Sequence, residues 1–464
     1  MPPIDVSILE ADAFQEWMVE QRWFGSKARD VTGIEVAECV TLREEPPLLA
    51  LALVEARFGE GTHETYQVPV GLRPASEGWS RRVITDADGW TVYDALADPA
   101  CGRELLHRMR SGDEVTGQDG VLRFRWAPTA GAGLGGTVDV RPVGVEQSNS
   151  SIVFGEALIL KAFRRVEPGV NPELELLRFL SERGFPNIAS LAGWYEFEGR
   201  FVDATLGILQ EYLAGARGSW ELTLERLGTY PDGLLADLRG LGEVTGDLHT
   251  VLGSDNSSPE FAPDEPSQES LSLLTADVDE QIERIFRDLP ETDALAPIAG
   301  RGQDVRETLQ ALSHIGAGGR VIRTHGDYHL GQTMLSDRGW AILDFEGEPA
   351  RPLPERRRKR SPLRDVAGML RSFSYVTAGS QLLHGVAAPE DWEDRARVEF
   401  LAGYRAHVDP ALLPPGEQAM DQLLSVFELE KAIYELRYEL NNRPDWVGIP
   451  VAGILRLLEP DEAA

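Results

Sequence analysis

Short apolar runs dominate the first part of the chain, and a helical spacing of apolar residues replaces them after Leu213. Up to that point, β-branched and aromatic residues cluster in segments of four to twelve positions, and glycine, proline and aspartate separate them, which is typical of strands and turns. Beyond it, leucines recur at helical intervals, as in Leu234, Leu238, Leu241 and Leu248. The pattern predicts an α+β chain, β-rich first and mostly helical later.

The same pattern predicts the separate elements. One helix opens at Asn171-Pro172-Glu173, where asparagine can cap the helix and proline can occupy its first position. The other predicted helices span 12–20, 91–110, 234–252, 278–289, 362–375, 390–407 and 418–441. The predicted strands span 34–42, 48–58, 65–70, 82–86, 90–93, 121–126, 137–145, 150–154, 157–163, 190–197 and 201–212. Short strands and loops are expected over 321–343.

Composition and charge exclude several classes of protein. The 464 residues carry 76 acidic and 45 basic side chains, a formal net charge of −31, so the chain lacks the positive field that attracts nucleic acid or an anionic membrane. No apolar run approaches the ~20 residues of a spanning helix, and no secretory signal pattern is present at the start. Two cysteines are too few for a disulfide scaffold. We expect a cytoplasmic protein.

Lysine is scarce in this chain. Of the 45 basic residues only Lys27, Lys161, Lys359 and Lys431 are lysines. A lysine provides a compact point charge, so each of the four is a candidate for a specific role. A second basic feature is the run 356–360, read either as a solvated loop or as a balance to an acidic site.

Two carboxylates at the ends of short apolar segments are the main candidate for chemistry. Asp327 and Asp344 lie 17 residues apart, and Gln332 lies five residues after the first. Phosphoryl transfer needs a carboxylate that accepts the proton of the attacking hydroxyl, and oxygen ligands for Mg²⁺. Each residue alone could serve a turn, but the three together favour phosphoryl transfer.

A cation for nucleotide phosphates is the next requirement. Lys161 lies in an apolar strand pattern, and Glu173 and Glu175 in the following helix offer partners. The segment 147–151 could form a hairpin over the phosphates, with Ser148 and Ser150 as contacts. The glycine-rich run 131–136 matches G-x-G-x-x-G, but the segment after it is strand-like, so a dinucleotide site is not favoured.

Several segments resemble one group of kinases. His325-Gly326-Asp327 with Gln332, and Asp344-Phe345-Glu346, are similar to the catalytic and metal loops of the aminoglycoside phosphotransferase group, small-molecule kinases related to eukaryotic protein kinases. The chain further resembles bacterial maltokinases in segments 23–27, 164–173, 361–373, 430–439 and 442–446.

This resemblance implies a fold and an activity. The fold would be bilobal and protein-kinase-like, with a β-rich cap over 1–90, a β-rich N-lobe over 91–213 and a helical C-lobe over 214–464. The activity would be transfer of the γ-phosphate of ATP, with Mg²⁺, to the anomeric hydroxyl of maltose, giving maltose 1-phosphate for α-glucan synthesis. It also implies possible association with trehalose synthase, and a monomer or weak dimer.

The resemblance implies roles for single residues as well. Asp327 would be the catalytic base, and Gln332 and Asp344 would bind Mg²⁺. Lys161 would contact the α- and β-phosphates with Glu175 as its first-choice partner and Glu173 as the second. Backbone groups of Glu211 and Leu213 would meet adenine, and Asp365 would brace the catalytic loop.

The predicted sugar site lies mainly in the last helical segment. Its residues mix donors, acceptors and flat rings: His325, Lys431, Tyr434, Glu435, Tyr438, Asn442 and Trp446. Lys431 with Glu435, and Tyr434 with Tyr438, are four residues apart and form adjacent helix rows. The alternative is that the two tyrosines are core residues and the ion pair is solvated. His249 and His329 are predicted to be packing histidines.

Two other functions stay open at this point. A related kinase could act on another sugar, on an amino sugar such as glucosamine, or on an aminoglycoside, and an acidic pocket would suit a cationic acceptor. A non-catalytic pseudokinase would lack Asp327, Asp344 or Lys161, and all three are present.

Overall fold

The computed structural model describes residues 9, 12–128, 138–143, 148–312, 318–349 and 351–459. For five residues within these ranges, it describes only the backbone: Gln268, Ser270, Leu271, Leu274 and Leu312. The glycine-rich run 131–136 and Gln147 of the predicted hairpin lie outside the described residues. The chain divides into two compact units, Met1–Gly215 and Ala216–Ala464.

The first unit is β-rich. Its described helices are α1 (Asp12–Glu20), α2 (Pro99–Ser111) and α3 (Pro172–Glu182). Its described strands are β1 (Val31–Arg43), β2 (Leu48–Phe58), β3 (His63–Pro74), β4 (Val83–Ala87), β5 (Trp90–Asp94), β6 (Glu114–Thr116), β7 (Gly120–Trp126), β8 (Val140–Pro142), β9 (Asn149–Phe154), β10 (Leu158–Phe163), β11 (Arg165–Val166), β12 (Leu191–Gly199) and β13 (Asp203–Glu211).

These strands form two sheets. The first has the order β1-β2-β3-β5-β4, with β11 paired to β3, and the second has the order β6-β7-β12-β13-β10-β9-β8. In the second sheet Lys161 lies on β10, opposite Ser151 of β9 and Ile208 of β13. The lysine strand is therefore held on both sides, which limits the positions that its side chain can reach. The first sheet extends past residue 90, because β5 runs to Asp94.

A buried polar cluster joins the two sheets of this unit. Arg164, directly after the lysine strand, donates to Asp94 Oδ2 at 2.5 Å, and neither side chain is exposed. Gln67 of β3 donates to the backbone carbonyl of Phe163 at 2.6 Å and accepts from Tyr195 at 3.0 Å. Because these groups are removed from water, each depends on its partner.

We expect Asp94→Asn to destabilise the first unit strongly. Removing one partner of a buried ion pair leaves the other charge uncompensated, a loss of about 3–5 kcal/mol. Differential scanning calorimetry would measure a melting temperature lower by about 6 °C or more. The control is Arg165→Met, at an exposed neighbour of Arg164. Equal melting temperatures for both variants would contradict a joining role for the buried pair.

The second unit is mostly helical. Its described helices are α4 (Ser219–Leu227), α5 (Pro231–Leu252), α6 (Gln268–Arg287), α7 (Gly302–Leu312), α8 (Leu353–Arg356), α9 (Leu363–His384), α10 (Trp392–His407), α11 (Glu417–Asn442) and α12 (Gly448–Leu458). Three short strands form one sheet in the order β14 (Arg217–Gly218), β15 (Thr333–Ser336) and β16 (Gly339–Ile342). None of the helices in the described part is long and apolar enough to cross a membrane.

The α+β class predicted from the sequence is confirmed, and one predicted helix is corrected. The helix expected over 91–110 begins only at Pro99, because residues up to Asp94 belong to β5 and Asp98 caps α2. The Asp98 side chain accepts from the amide of Ala100 at 2.8 Å, as an N-cap residue does.

Candidate active site

The loop that carries Asp327 lies directly before the β15–β16 hairpin of the second unit. Gly326 has φ of +87°, a conformation that favours glycine, and this residue lets the backbone turn immediately before Asp327. Gly368 of α9 lies against the same loop, where a Cβ atom would be 2.5 Å from the carbonyl oxygen of Tyr328. Two glycines thus shape the loop and allow close approach of the helix behind it.

Asp365 holds this loop by hydrogen bonds to its backbone. Its Oδ2 accepts from the amide of His325 at 2.8 Å and its Oδ1 accepts from the amide of Gly326 at 3.0 Å. His249, fully buried, lies 3.3 Å from Oδ2 and 3.0 Å from the Tyr404 hydroxyl, as expected of a packing histidine. Burial alone would raise the pKa of Asp365, but the hydrogen bonds and charge of its neighbours outweigh it and lower that pKa.

His325 is a correction to the predicted sugar contacts. It is 1% exposed, its Nε2 lies 2.8 Å from the Leu343 carbonyl oxygen, and its Nδ1 accepts from the amide of Asp327 at 3.3 Å. Its ring also packs against Phe345, with centroids 4.9 Å apart. Because both nitrogens are engaged inside the protein, His325 positions the loop rather than contacting a sugar.

Gln332 and Asp344 lie together, as the magnesium prediction requires. Gln332 Nε2 lies 3.0 Å from Asp344 Oδ2. Asp344 has φ of +63°, a strained conformation for a residue with a side chain, and such strain is concentrated at functional sites. The donor set of one carboxylate and one amide oxygen fits Mg²⁺, which prefers oxygen ligands and keeps several waters.

Lys431 of α11 reaches the side chain of Asp327. Its Nζ lies 3.3 Å from Asp327 Oδ1, and the two side chains are 30% and 23% exposed. Burial alone would lower the pKa of Lys431, but the carboxylates of Asp327 and Glu435 outweigh it and raise that pKa. Lys431 is therefore a stable cation beside the Asp327 carboxylate.

In the first unit, Lys161 pairs with the second-choice residue. Its Nζ lies 2.7 Å from Glu173 Oε2, and Glu173 is 1% exposed. Asn171 caps α3 by accepting from the amide of Glu173 at 2.8 Å, which orients the first turn of the helix. The role given to Glu175 stays a prediction.

Ser150 is less suited to the predicted contact with ATP. It is 1% exposed, and its hydroxyl accepts from Arg164 Nε at 2.7 Å, so it belongs to the buried cluster. This position corrects the prediction for its side chain. Ser148 is exposed and stays a candidate. The amide of Glu211 donates to the carbonyl of Ser190 at 2.9 Å, and the adenine contacts of Glu211 and Leu213 stay predictions.

A cavity of ≈ 430 Å³ in the second unit opens beside Asp327. Five aromatic rings line it: Trp220, Tyr375, Tyr434, Tyr438 and Trp446. Tyr375 and Trp446 stack with centroids 6.1 Å apart, and Arg443 lies over the Trp446 ring at 4.9 Å. Flat rings next to a few charged groups are typical of a small-molecule site. The predicted residues Lys431, Tyr434, Glu435, Tyr438 and Trp446 all line this cavity.

Each carboxylate that lines this cavity already has a cationic partner. Asp327 pairs with Lys431, and Glu435 Oε2 accepts from Arg371 Nη2 at 2.8 Å. Glu439 accepts from Arg443 Nη2 at 2.6 Å. The cavity therefore offers polar groups that can bind hydroxyls, while lysine and arginine side chains of the protein neutralise its carboxylates.

Asn442 lies apart from the other predicted sugar contacts, and its own contact with a sugar stays a prediction. It is exposed, its Nδ2 donates to the Tyr438 carbonyl oxygen at 2.8 Å, and it is not among the described residues that line the cavity.

His329 was predicted to be a packing histidine, but its side chain is 40% exposed and lines the cavity. Burial lowers the pKa of His329, so its imidazole is neutral at pH 7.

Several cavity residues were not predicted, among them one tryptophan, one tyrosine and one arginine. Trp220 lies in α4, Tyr375 lies in α9, and Arg443 directly follows α11. Arg443 could have been found from its spacing, because Glu439 lies four residues before it. Trp220 and Tyr375 are ordinary helix positions in the sequence, and only the packing brings them to the cavity.

Two protein families match separate parts of the chain. Residues 17–98 match the maltokinase N-terminal cap domain. Residues 139–401, more than half of the chain, match the phosphotransferase enzyme family.

Similar proteins cover most of the chain. A glucosamine kinase from Streptacidiphilus jiangxiensis is 26% identical over 414 residues, which are 83% of this chain and 90% of that protein. A glucosamine kinase from Mycolicibacterium smegmatis is 24% identical over 398 residues, which are 81% of this chain and 92% of that protein.

Solved structures share the fold. The structure of a glucosamine kinase in complex with glucosamine, ADP and inorganic phosphate has a TM-score of 0.72 at 20% identity and covers 99% of this chain and 100% of that chain. Another crystal form of a glucosamine kinase has a TM-score of 0.74 at 21% identity, with the same coverage. The predicted kinase-like fold with an N-terminal cap is thereby confirmed.

Proposed function

The chain belongs to the phosphotransferase enzyme family, and we propose that it transfers the γ-phosphate of ATP to the anomeric hydroxyl of maltose. The observation that carries the choice of acceptor is the cavity beside Asp327, with five rings and paired carboxylates. Rings pack on the C–H faces of sugars, and paired carboxylates can still accept hydrogen bonds from neutral hydroxyls.

Asp327 is the proposed catalytic base. It would orient the attacking hydroxyl and accept its proton, while the Lys431 ammonium lies 3.3 Å from its Oδ1. Asp365 and His325 would position the loop through the hydrogen bonds described above. The phosphoryl group would pass to the sugar oxygen, and ADP would leave.

Three side chains are the proposed contacts for ATP and Mg²⁺. Lys161, oriented by Glu173, would place its charge on the α- and β-phosphates. Gln332 and Asp344 would hold Mg²⁺, which neutralises charge on the phosphates when bound.

An amino sugar is the second candidate acceptor, because two relatives bear the name glucosamine kinase. A protonated amine is best held by a carboxylate without another cationic partner. The cavity carboxylates in this chain are paired, which favours a neutral sugar. The association with trehalose synthase predicted from the sequence stays a prediction.

The test is a panel of acceptors with Mg-ATP: maltose, glucose, glucosamine and kanamycin, with kcat/KM measured for each. We expect maltose to exceed glucosamine by about tenfold or more, because desolvating the amine next to Lys431 and Arg443 is unfavourable. A higher kcat/KM for glucosamine would make this chain an amino-sugar kinase. No transfer to any acceptor, together with no thermal shift on adding Mg-ATP, would favour a pseudokinase.

The same panel on Trp446→Ala tests whether the cavity binds the acceptor. Loss of one stacked ring corresponds to about 1 kcal/mol, or roughly fivefold in the KM for the sugar. The KM for ATP should not change. Tyr230→Ala is the control, at an exposed aromatic residue outside the cavity lining.

A further inference from the structure

A second, smaller space also borders Asp327. This crevice measures ≈ 80 Å³ and is distinct from the aromatic cavity, although Asp327, Gly368, Lys431 and Tyr434 line both. Arg356 also lines the crevice, together with three further arginines: Arg351, Arg360 and Arg364. It has room for two or three waters at about 30 Å³ each, the size class of a tetrahedral oxyanion.

Two of these arginines already have carboxylate partners. Arg351 Nε lies 2.5 Å from Glu348 Oε2, and Arg364 Nη2 pairs with Glu430. A guanidinium has five N–H donors, so each of these side chains can bind a further oxygen atom while keeping its present partner.

Arg360 differs from the other two. Among the described residues no carboxylate forms an ion pair with it, and its only side-chain hydrogen bond reaches the Glu355 carbonyl oxygen at 3.5 Å. Burial, followed by the positive charges of Arg364 and Arg351, lowers the pKa of Arg360 to about 10. Glu430 and Glu348 offset only part of this effect. The crevice thus contains a half-buried cation whose charge is not balanced by an ion pair.

The backbone of Arg360 keeps this side chain in place. Its amide donates to the Ile322 carbonyl at 2.8 Å, and its carbonyl accepts from the Ile322 amide at 2.9 Å. The neighbouring Lys359 is held elsewhere, by the Ala262 carbonyl at 2.6 Å and Asp264 at 2.7 Å. The basic run 356–360 is therefore not one solvated patch, because its members have separate partners.

We propose that the crevice is a binding site for a phosphate oxyanion, either inorganic phosphate or the phosphoryl group of a sugar phosphate. Arg360 would supply the uncompensated charge, and Arg351 and Arg364 would add donors in the planar geometry that suits phosphate. The inference needs only binding, so it does not depend on maltose being the acceptor.

Occupation of the crevice would inhibit phosphoryl transfer. An anion there would compete with Asp327 for the Lys431 ammonium, and it would place negative charge beside the carboxylate that receives the proton. A kinase that responded in this way would slow down when free phosphate or sugar phosphate accumulates.

The experiment is isothermal titration of the full chain with sodium phosphate at constant ionic strength, without nucleotide or sugar. We expect saturable binding to the wild type, weakened by about tenfold or more in Arg360→Gln, because a charge-assisted contact is lost. Arg360→Lys should recover part of the affinity. Arg358→Gln is the matched control, since Arg358 is exposed, belongs to the same basic run and does not line the crevice.

The outcomes are distinct. Absence of phosphate binding to the wild type, or equal weakening in Arg358→Gln and Arg360→Gln, would overturn the proposal. A second titration with glucose 1-phosphate separates the two sources: competition with inorganic phosphate assigns the site to both, and phosphate binding alone assigns it to the free ion. Circular dichroism of each variant verifies folding, and failure of the acceptor panel would leave these results unaffected.

Discussion

Replacing Asp327 with asparagine is expected to remove most phosphoryl transfer and to leave the fold intact. An amide cannot accept the proton of the sugar hydroxyl, and loss of a general base lowers kcat by about 10²–10⁴-fold. The side chain is partly exposed and pairs with a partly exposed lysine, so the loss of this ion pair should affect stability little.

The measurement is kcat with Mg-ATP and maltose, accompanied by the melting temperature. Asp337→Asn is the matched control, because Asp337 is exposed in the turn between β15 and β16 and makes the same change of charge. Wild-type turnover in Asp327→Asn would show that another group accepts the proton. A kcat lowered to the same degree in both variants would indicate a general electrostatic effect.

Replacing Asp365 with asparagine is expected to affect both stability and turnover. The carboxylate accepts from two loop amides and lies beside His249, so an amide in its place must direct an N–H group at one of these donors. Leaving one buried donor without a partner corresponds to about 1–3 kcal/mol. A loop displaced by ~1 Å would lower kcat by about 10²-fold.

The effect of Asp365→Asn on the melting temperature is expected to depend on pH. Because the pKa of Asp365 is lowered in the folded protein, its contribution to stability is complete above the ordinary carboxyl pKa of about 3.9 and is lost as the pH falls through the lower folded value. The loss of melting temperature in Asp365→Asn relative to wild type should therefore shrink at acidic pH. Asp391→Asn, at an exposed acidic residue before α10, should show neither effect.

The site shows how far single residues could be predicted. Asp327, Gln332 and Asp344 lie within 17 residues, and a loop and a hairpin bring the last two within 3.0 Å of each other. Lys161 was selected because lysine is rare in this chain, and it does reach a helix acid. Glu173, the second choice from the sequence, is the acid that it reaches, and the role of Glu175 stays a prediction.

Burial explains why His325 and Ser150 differ from their predicted roles. His325 and Ser150 have the polar groups of binding residues, but both are almost fully buried and bonded to their own protein. Asn442 lies in the same helix as Lys431, but it falls on the exposed side at the end of that helix. Residue type and spacing do not report which side of an element faces the interior when both sides carry polar groups.

Local order along the chain was enough to predict most of the strands, most of the long helices and the kinase-like loops, although α6 begins at Gln268 rather than at 278, and α7 and α12 were not predicted. These features depend on side-chain periodicity, caps and turns within about ten residues. The pairing of Lys431 with Asp327 across 104 residues, the neutralised carboxylates of the aromatic cavity and the uncompensated Arg360 were decided by tertiary packing. Partner choice among charged groups depends on distance and burial, which only the folded chain sets.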